Sequence, residues 1–158
     1  MALNYGKQFE ARLKEDFLKI PGATIDRLYD TTFGYKSVSN ICDFIGYVFP
    51  FIFYLEAKST QGNTFSLMKL TQAEKLKSKI GIKGVNAGVV IWFIDHKKVC
   101  WVPIEEYTRL QKAGYKSINV KMINNADFNV FELPSQALRI FMVTDYSKLI
   151  DIANDKLK

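Results

Sequence analysis

The stretch "NICDFIGYVFPFIFYLEAKST", residues 40–60, decides the fold and carries the most informative polar residues of the chain. Two apolar runs lie on either side of Phe49–Pro50 and predict two neighbouring strands, because proline is tolerated at a bend or a strand edge but not in a central ladder. Asp43 interrupts the first run, and Glu56 and Lys58 interrupt the second. Strands that are otherwise apolar need a reason to carry two acids and a lysine.

The strand register indicates that these charged residues meet. Side chains alternate between the two faces of a strand, so Glu56 and Lys58 share one face. If Val48 pairs with Phe51 across a tight bend, Asp43 lies opposite Glu56, with their Cβ atoms ~5 Å apart. A register shifted by two residues still leaves the two acids on one face.

Paired carboxylates favour a metal site. Two of them repel each other, and in a dry site one would hold its proton unless a divalent cation bound both. Mg²⁺ suits two carboxylates completed by waters and phosphate oxygens. Lys58, next on the same face, could orient a water or stabilise charge on a phosphorane-like transition state. The trio predicts metal-dependent phosphodiester hydrolysis. The alternative is that Glu56 and Lys58 form a solvated strand end and that Asp43 is a turn residue.

Two further features support the metal hypothesis, and each has a plainer alternative. Glu10 lies on or beside the apolar stripe of the first predicted helix, where it is either a solvated flanking residue or aimed at a buried cation. Residues 69–83 carry five lysines and one acid, Glu74. This basic segment suits a phosphate backbone, and it equally suits a solvated helix face.

Composition limits the remaining classes. The chain has 158 residues and 48% hydrophobic residues, enough for one packed α/β domain over residues 1–158. The formal net charge of +6 favours an anionic partner. We predict buried free thiols for Cys42 and Cys100, and a turn position for the single histidine, His96, which disfavours a catalytic triad. The sequence shows neither a signal-peptide pattern nor an apolar run of membrane-spanning length, so we expect a cytoplasmic protein with no membrane partner.

Apolar periodicity predicts the remaining elements. Thr71 with Glu74 forms a capping-box pattern, and Asn4 is a candidate N-cap. The predicted helices cover residues 5–19, 71–81, 103–114 and 145–157. The predicted strands cover residues 24–30, 41–48, 51–58, 87–94, 97–104 and 138–143. Residues 61–70 are predicted as a loop, and residues 31–40 as a loop or flexible hairpin that could form a short stalk.

Several motifs in fixed order resemble a known family. They are "NYGKQFE" (4–10), "CDFIGY" (42–47), "YLEAKST" (54–60), "NTFSLMKLTQ" (63–72) and "GYKSI" (114–118). With them the chain resembles the PD-(D/E)XK nuclease superfamily and, within it, the RecU-type Holliday junction resolvases, including their small phage-borne relatives. The resemblance runs from about residue 4 to residue 120.

The resemblance implies a restriction-endonuclease-like fold, in which helices flank a mixed central sheet. It also implies a homodimer that cuts four-way DNA junctions by paired nicks with Mg²⁺, for which Mn²⁺ can substitute. Asp43 and Glu56 would bind the metal with the backbone carbonyl of Ala57, and Lys58 would position the nucleophilic water. Gln72 and Glu10 match further active-site residues. The residues predicted to bind DNA are Lys69, Lys75, Lys77, Lys79, Lys83, Arg27, Tyr35 and Lys36.

The chain departs from the family pattern in three places. Ile41 stands where the family has a threonine two residues before the metal aspartate, the basic N-terminal extension of longer members is absent, and the stalk segment before Asp43 is short. Two alternative functions remain: a PD-(D/E)XK nuclease of the repair or restriction type with another DNA specificity, and a DNA-binding recombination accessory protein without catalysis.

Overall fold

A computed structural model of the protein describes residues 4–29, 31–33 and 36–158. Its four helices are α1 (Tyr5–Phe17), α2 (Ala73–Lys77), α3 (Ile104–Lys112) and α4 (Lys148–Leu157). Its strands are β1 (Thr24–Arg27), β2 (Thr31–Phe33), β3 (Lys36–Val38), β4 (Phe44–Val48), β5 (Phe51–Thr60), β6 (Thr64–Ser66), β7 (Val85–Phe93), β8 (Lys98–Pro103), β9 (Ser117–Asn119), β10 (Phe131–Leu133), β11 (Ser135–Ala137) and β12 (Met142–Thr144).

Six strands form a mixed central sheet in the order β1-β4-β5-β7-β8-β10. The pair β5–β7 is parallel and the other neighbouring pairs are antiparallel. Helices flank the sheet, so the predicted fold class is confirmed. The predicted hairpin register is also confirmed, because Val48 pairs with Phe51 and Phe44 pairs with Leu55.

The two faces of the sheet carry separate cores. Helices α1 and α4 cover one face, where Leu13 and Leu149 pack with Leu55. Helices α2 and α3 cover the other, where Leu76 and Leu110 pack with residues of β7 and β8. Residues 86–93 of β7 are all buried, as expected of a central strand covered on both sides.

Helix α1 is fixed at both ends, and this places Glu10 at the edge of the sheet. The Asn4 side chain accepts a hydrogen bond from the Lys7 N–H at 3.1 Å, which confirms the predicted N-cap. Near the other end, the Phe17 ring lies against Gly46 of β4, where a Cβ atom would come within 2.6 Å of the ring. Only glycine allows the helix to pack this closely on β4.

The segment after β5 differs most from the sequence prediction. The predicted helix over 71–81 is a single short helix, α2, and the capping box does not form. The N-cap is Gln72, without a side-chain cap, while Thr71 donates its hydroxyl hydrogen bond to the Gln72 side chain at 3.0 Å. The predicted loop 61–70 contains β6, which pairs with β9 and so joins the "NTFS" and "GYKSI" motifs.

The C-terminal third contains strands that the sequence analysis missed. The sixth strand of the sheet is β10, and the predicted strand over 138–143 is wrong over its first four residues. Its end contributes to β12, which pairs with β11 outside the main sheet. Leu149 and Ala153 of α4 are buried in the core, so they are not available for an interface.

The predicted loop 31–40 contains β2 and β3, which pair as an antiparallel hairpin with Thr31 opposite Val38. Tyr35 lies outside the described residues, and Lys36 is described only by its place in β3. In the described part of the chain, no helix has the length and apolar character to cross a membrane.

Candidate metal and nuclease site

The Asp43 side chain accepts a backbone hydrogen bond just beyond the last paired residues of β4 and β5. Because β4 begins at Phe44, opposite Leu55, the Ala57 N–H lies beyond the end of the ladder. It donates to Asp43 Oδ2 at 2.9 Å instead. The N–H and C=O of one strand residue point to the same side, so the Ala57 carbonyl faces the same edge as the Asp43 carboxylate.

Glu56 is a buried acid with incomplete hydrogen bonding. It is 2% exposed, Oε1 lies 3.4 Å from Lys58 Nζ, and the buried Oε2 has no hydrogen-bond partner among the described residues. Burial, reinforced by the neighbouring Asp43 carboxylate, raises the pKa of Glu56 to about 8, against the opposing effect of Lys58. Without a cation, Glu56 therefore holds its proton at neutral pH.

Glu10 joins this cluster through Arg27. Arg27 Nη2 lies 2.9 Å from Glu10 Oε2, and Nη1 lies 3.4 Å from Asp43 Oδ1. Burial and then the Asp43 charge raise the pKa of Glu10, while Arg27 and Lys58 oppose that rise. Glu10, taken in the sequence analysis as either solvated or aimed at a cation, is aimed at the Arg27 guanidinium.

The donor set fits a hard divalent cation with a largely aqueous shell. Within the described ranges, no group of three or more His, Cys, Asp or Glu side chains is arranged to hold a metal ion. The cluster instead offers the Asp43 and Glu56 carboxylates and the Ala57 carbonyl, and Glu56 Oε2 is a buried oxygen in need of a partner. Mg²⁺ commonly uses one or two carboxylates and keeps several waters, so these oxygens suit it.

The other residues singled out from the sequence have different surroundings. Gln72, at the start of α2, has its side chain hydrogen-bonded to Thr71. Cys42 and Cys100 are buried free thiols, as predicted, and burial raises the pKa of Cys42 to about 12. His96 ends a short 3-10 helix between β7 and β8 and contacts the Asn63 side chain, which agrees with the predicted turn position.

The lysines predicted to bind DNA are spread over different surroundings. Lys79 Nζ lies 4.8 Å from the ring centre of Tyr54, two residues before Glu56 on the same face of β5. Lys75 donates to the Ser39 hydroxyl at 2.7 Å, and also to the Ser39 carbonyl. Lys79 thus lies beside the strand face that carries Glu56.

Three other lysines are further from the acids or already paired. Lys77 contacts the side chains of Glu74, at 2.8 Å, and Gln111, at 3.0 Å. Lys69 and Lys83 are exposed. Lys83 precedes Gly84, whose carbonyl accepts a hydrogen bond from the Ile52 N–H, so it lies at the opposite end of β5 from the site, about 13 Å along the strand from Glu56.

The sequence analysis missed the ion pairs of Arg27, which it assigned to DNA binding. Arg27 pairs with Phe44 across β1 and β4, and its side chain turns inward to two acids. The sequence signal was weak: one arginine near the end of a short predicted strand, with partners 17 residues before it and 16 after it along the chain.

Comparison with known proteins places this chain in a family. The family model for RecU, described as Recombination protein U, matches residues 5–151. No curated protein matches significantly. Among solved structures, the chain is similar to Hjc of Archaeoglobus fulgidus, described as a Holliday junction resolvase from an archaeal hyperthermophile, with 17% identity and a TM-score of 0.52 over 73% of this chain and 89% of Hjc. That likeness shows a shared fold, and the match over nearly the whole sequence shows that this chain belongs to the RecU family.

Proposed function

We propose that this protein is a Mg²⁺-dependent endonuclease that resolves four-way DNA junctions by paired nicks. The observation that carries the proposal is the buried Glu56 beside Asp43, with Oε2 unpartnered and Lys58 adjacent, in a chain of the RecU family. The whole of residues 1–158 would form the nuclease domain.

Each residue of the cluster has a distinct task in this proposal. Asp43 and Glu56 would hold the cation together with the Ala57 carbonyl, and the Ala57 N–H fixes the orientation of Asp43. Lys58, half-buried and 3.4 Å from Glu56, would orient the attacking water and balance charge on the phosphate. The bound cation would supply a water of lowered pKa and stabilise the charge that develops during hydrolysis.

Positive charge beside the site would hold the DNA. Lys79 flanks the Glu56 face, and the net charge of +6 attracts a phosphate backbone. A two-fold homodimer would present two such sites to strands of like polarity, matching the symmetry of a junction. Sedimentation at micromolar concentration is expected to show a dimer.

The test compares a synthetic four-way junction, the matching duplex and a supercoiled plasmid in Mg²⁺, in Mn²⁺ and in EDTA. We expect paired nicks in the junction with either metal, little cutting of the duplex, and no cutting in EDTA. Mixing in excess Glu56→Gln protein should leave junctions nicked once, because most active dimers would hold one working site.

The outcomes separate the alternatives. Equal cutting of junction and plasmid would indicate a nuclease of another specificity. Junction binding without any cutting would indicate an accessory protein. Clean resolution in the mixed population would contradict paired cleavage by a dimer.

A further inference from the structure

Arg27 supplies the site with a positive charge of its own. It is the last residue of β1, at the edge of the sheet, and its side chain is 22% exposed. Nη2 makes a close ion pair with Glu10 at 2.9 Å, whereas Nη1 is 3.4 Å from Asp43 Oδ1. The guanidinium thus joins an acid on α1 to an acid beside β5, and its contacts with the two acids differ in strength.

The surroundings hold the Arg27 guanidinium in place. Its central carbon lies 5.0 Å from the ring centre of Phe44 and 5.7 Å from that of Tyr29, both within the range of cation–π contact. The Leu28 N–H donates to the Asp43 carbonyl at 2.8 Å, which ties the end of β1 to the residue that Arg27 faces. The Arg27 guanidinium is therefore pre-organised to contact both acids.

The contact with Asp43 is the weaker side of this bridge. Arg27 Nη1 is buried and makes no hydrogen bond to any described residue; its 3.4 Å approach to Asp43 is an ion pair only. Asp43 Oδ2 is already engaged by the Ala57 N–H, so Oδ1 is the oxygen that remains to be shared. A metal ion bound at Asp43 would have to share Oδ1 with the Arg27 guanidinium or displace the guanidinium from Oδ1.

We propose that Arg27 is a positioning residue that acts as a resident counter-charge. When no divalent cation is bound, Arg27 holds Glu10 and Asp43 together. When a divalent cation binds, Arg27 releases Asp43 Oδ1 and stays paired with Glu10. This inference rests on the proposed metal site at Asp43 and Glu56. Removing a metal ligand weakens cation binding. Removing Arg27 should instead tighten cation binding and destabilise the cation-free fold.

Arg12 is a closely matched control. It is also 22% exposed, its guanidinium also contacts two acids, at 3.0 Å (Glu15) and 2.9 Å (Asp16), and it also lies over an aromatic ring, that of Phe141 at 5.0 Å. It differs from Arg27 in lying outside the Asp43–Glu56 cluster. An Arg12 substitution therefore measures how much stability is lost when a half-buried, ion-paired arginine is removed away from the proposed metal site.

The experiment measures Mn²⁺ binding without DNA, by the spin-resonance signal of free Mn²⁺, and melting temperature in EDTA. For Arg27→Gln we expect Mn²⁺ affinity to rise on the order of tenfold, because a positive charge 3.4 Å from the proposed ligand atom Asp43 Oδ1 is removed. We also expect the melting temperature in EDTA to fall. Arg12→Gln should lower the melting temperature and leave Mn²⁺ affinity unchanged, and Arg27→Lys, which keeps the charge, should bind Mn²⁺ within about twofold of wild type.

Wild-type protein provides a readout that does not depend on the variants folding. During a Mg²⁺ titration, the guanidinium NMR signals of Arg27 should shift, and those of Arg12 should stay in place. Unchanged or weaker Mn²⁺ binding by Arg27→Gln, or a stationary Arg27 signal, would overturn the counter-charge role. If Glu56→Gln binds Mn²⁺ as well as wild type does, the metal site itself is wrong and this inference falls with it.

Discussion

Asp16 and Glu56 are each 2% exposed, but their surroundings differ. Asp16, near the end of α1, lies 2.9 Å from Arg12 Nη2 and 3.0 Å from Lys19 Nζ, and its Oδ2 accepts a hydrogen bond from the Thr144 N–H at 3.0 Å. Glu56 has one cation, Lys58, at 3.4 Å and another acid as its neighbour.

The difference separates an acid that serves the fold from one that awaits a ligand. Burying a carboxylate is costly unless charges and hydrogen bonds compensate it. Around Asp16 the protein supplies that compensation as charge: Oδ1 makes no hydrogen bond within the described residues, but Arg12 Nη2 and Lys19 Nζ lie 2.9 and 3.0 Å from it. The Thr144 N–H bond to Oδ2 links α1 to β12. Around Glu56 it leaves Oε2 without a partner and places Asp43 close by, which raises the free energy of the ionised form. A perturbed acid with unmet bonding capacity is a candidate for function, whereas burial alone is not.

Catalysis should expose this contrast most strongly. We expect Glu56→Gln or Asp43→Asn to lower the rate of junction nicking in Mg²⁺ by roughly 10²–10³-fold or more, because each removes charge that stabilises the reacting centre. Junction binding in Ca²⁺, measured by gel shift, should remain close to wild type. Nicking at the wild-type rate by either variant would contradict the site assignment.

The reverse pattern is expected at Asp16. Asp16→Ala should lower the free energy of unfolding by roughly 3 kcal/mol, because Arg12 and Lys19 lose their common acid and the Thr144 N–H loses its acceptor. Urea unfolding measures this effect, and nicking per folded molecule should be retained. A large loss of nicking in fully folded Asp16→Ala would mean that the two acids are coupled.

The α1 helix and the β4–β5 hairpin could be predicted because their signals are local. Asn4 caps α1, an apolar stripe follows at helical spacing, and Pro50 marks the bend between the strands. Once the hairpin register is set, alternation of side chains brings Asp43 to Glu56, so the two acids could be paired from the sequence alone.

Tertiary packing decides the elements that could not be predicted. Thr71 and Glu74 match the capping-box pattern, yet the chain forms only the short α2, whose Ala73 and Leu76 are buried in the core that also contains residues of β7 and α3. Strand β10 has three residues, too few for a periodic pattern, and it exists because β8 offers an edge. The contacts of Arg27 likewise require β1, β4 and α1 to be assembled first.

The response of stability to pH is a smaller but more specific test of the Glu56 environment. The pKa of Glu56 is raised from 4.5 to about 8 by folding. Between those pH values the folded protein keeps a proton that the unfolded chain has lost. The stability that this protonated Glu56 contributes to the folded state is therefore fully present below pH 4.5 and is lost as the pH rises through 8. Wild type in EDTA should therefore lose stability relative to Glu56→Gln by up to about 1.4 kcal/mol per pH unit.

Urea unfolding in EDTA at pH 5, 6, 7 and 8 measures that divergence. Glu74→Gln is the control, because the Glu74 side chain is 84% exposed and its replacement should leave the pH profile parallel to that of wild type. Parallel profiles for wild type and Glu56→Gln would mean that the buried acid is already compensated, as Asp16 is.

The smallest expected effect concerns Lys79, the predicted DNA-binding lysine beside the Glu56 face. Lys79 lies over Tyr54 beside that face, whereas Lys156 on α4 is paired with Glu105, in the first turn of α3, at 2.6 Å. If Lys79 meets a phosphate, Lys79→Ala should reduce the slope of log affinity against log salt by up to ~0.9 on duplex arms, equally for any junction sequence. Lys156→Ala should leave the slope unchanged.

Fluorescence anisotropy in Ca²⁺ between 50 and 200 mM salt, concentrations at which phosphate contacts change affinity strongly, makes the measurement. An equal change in both variants would trace the slope to overall charge, and an unchanged slope in Lys79→Ala would mean that the Tyr54 ring, and no phosphate, is the partner of this lysine.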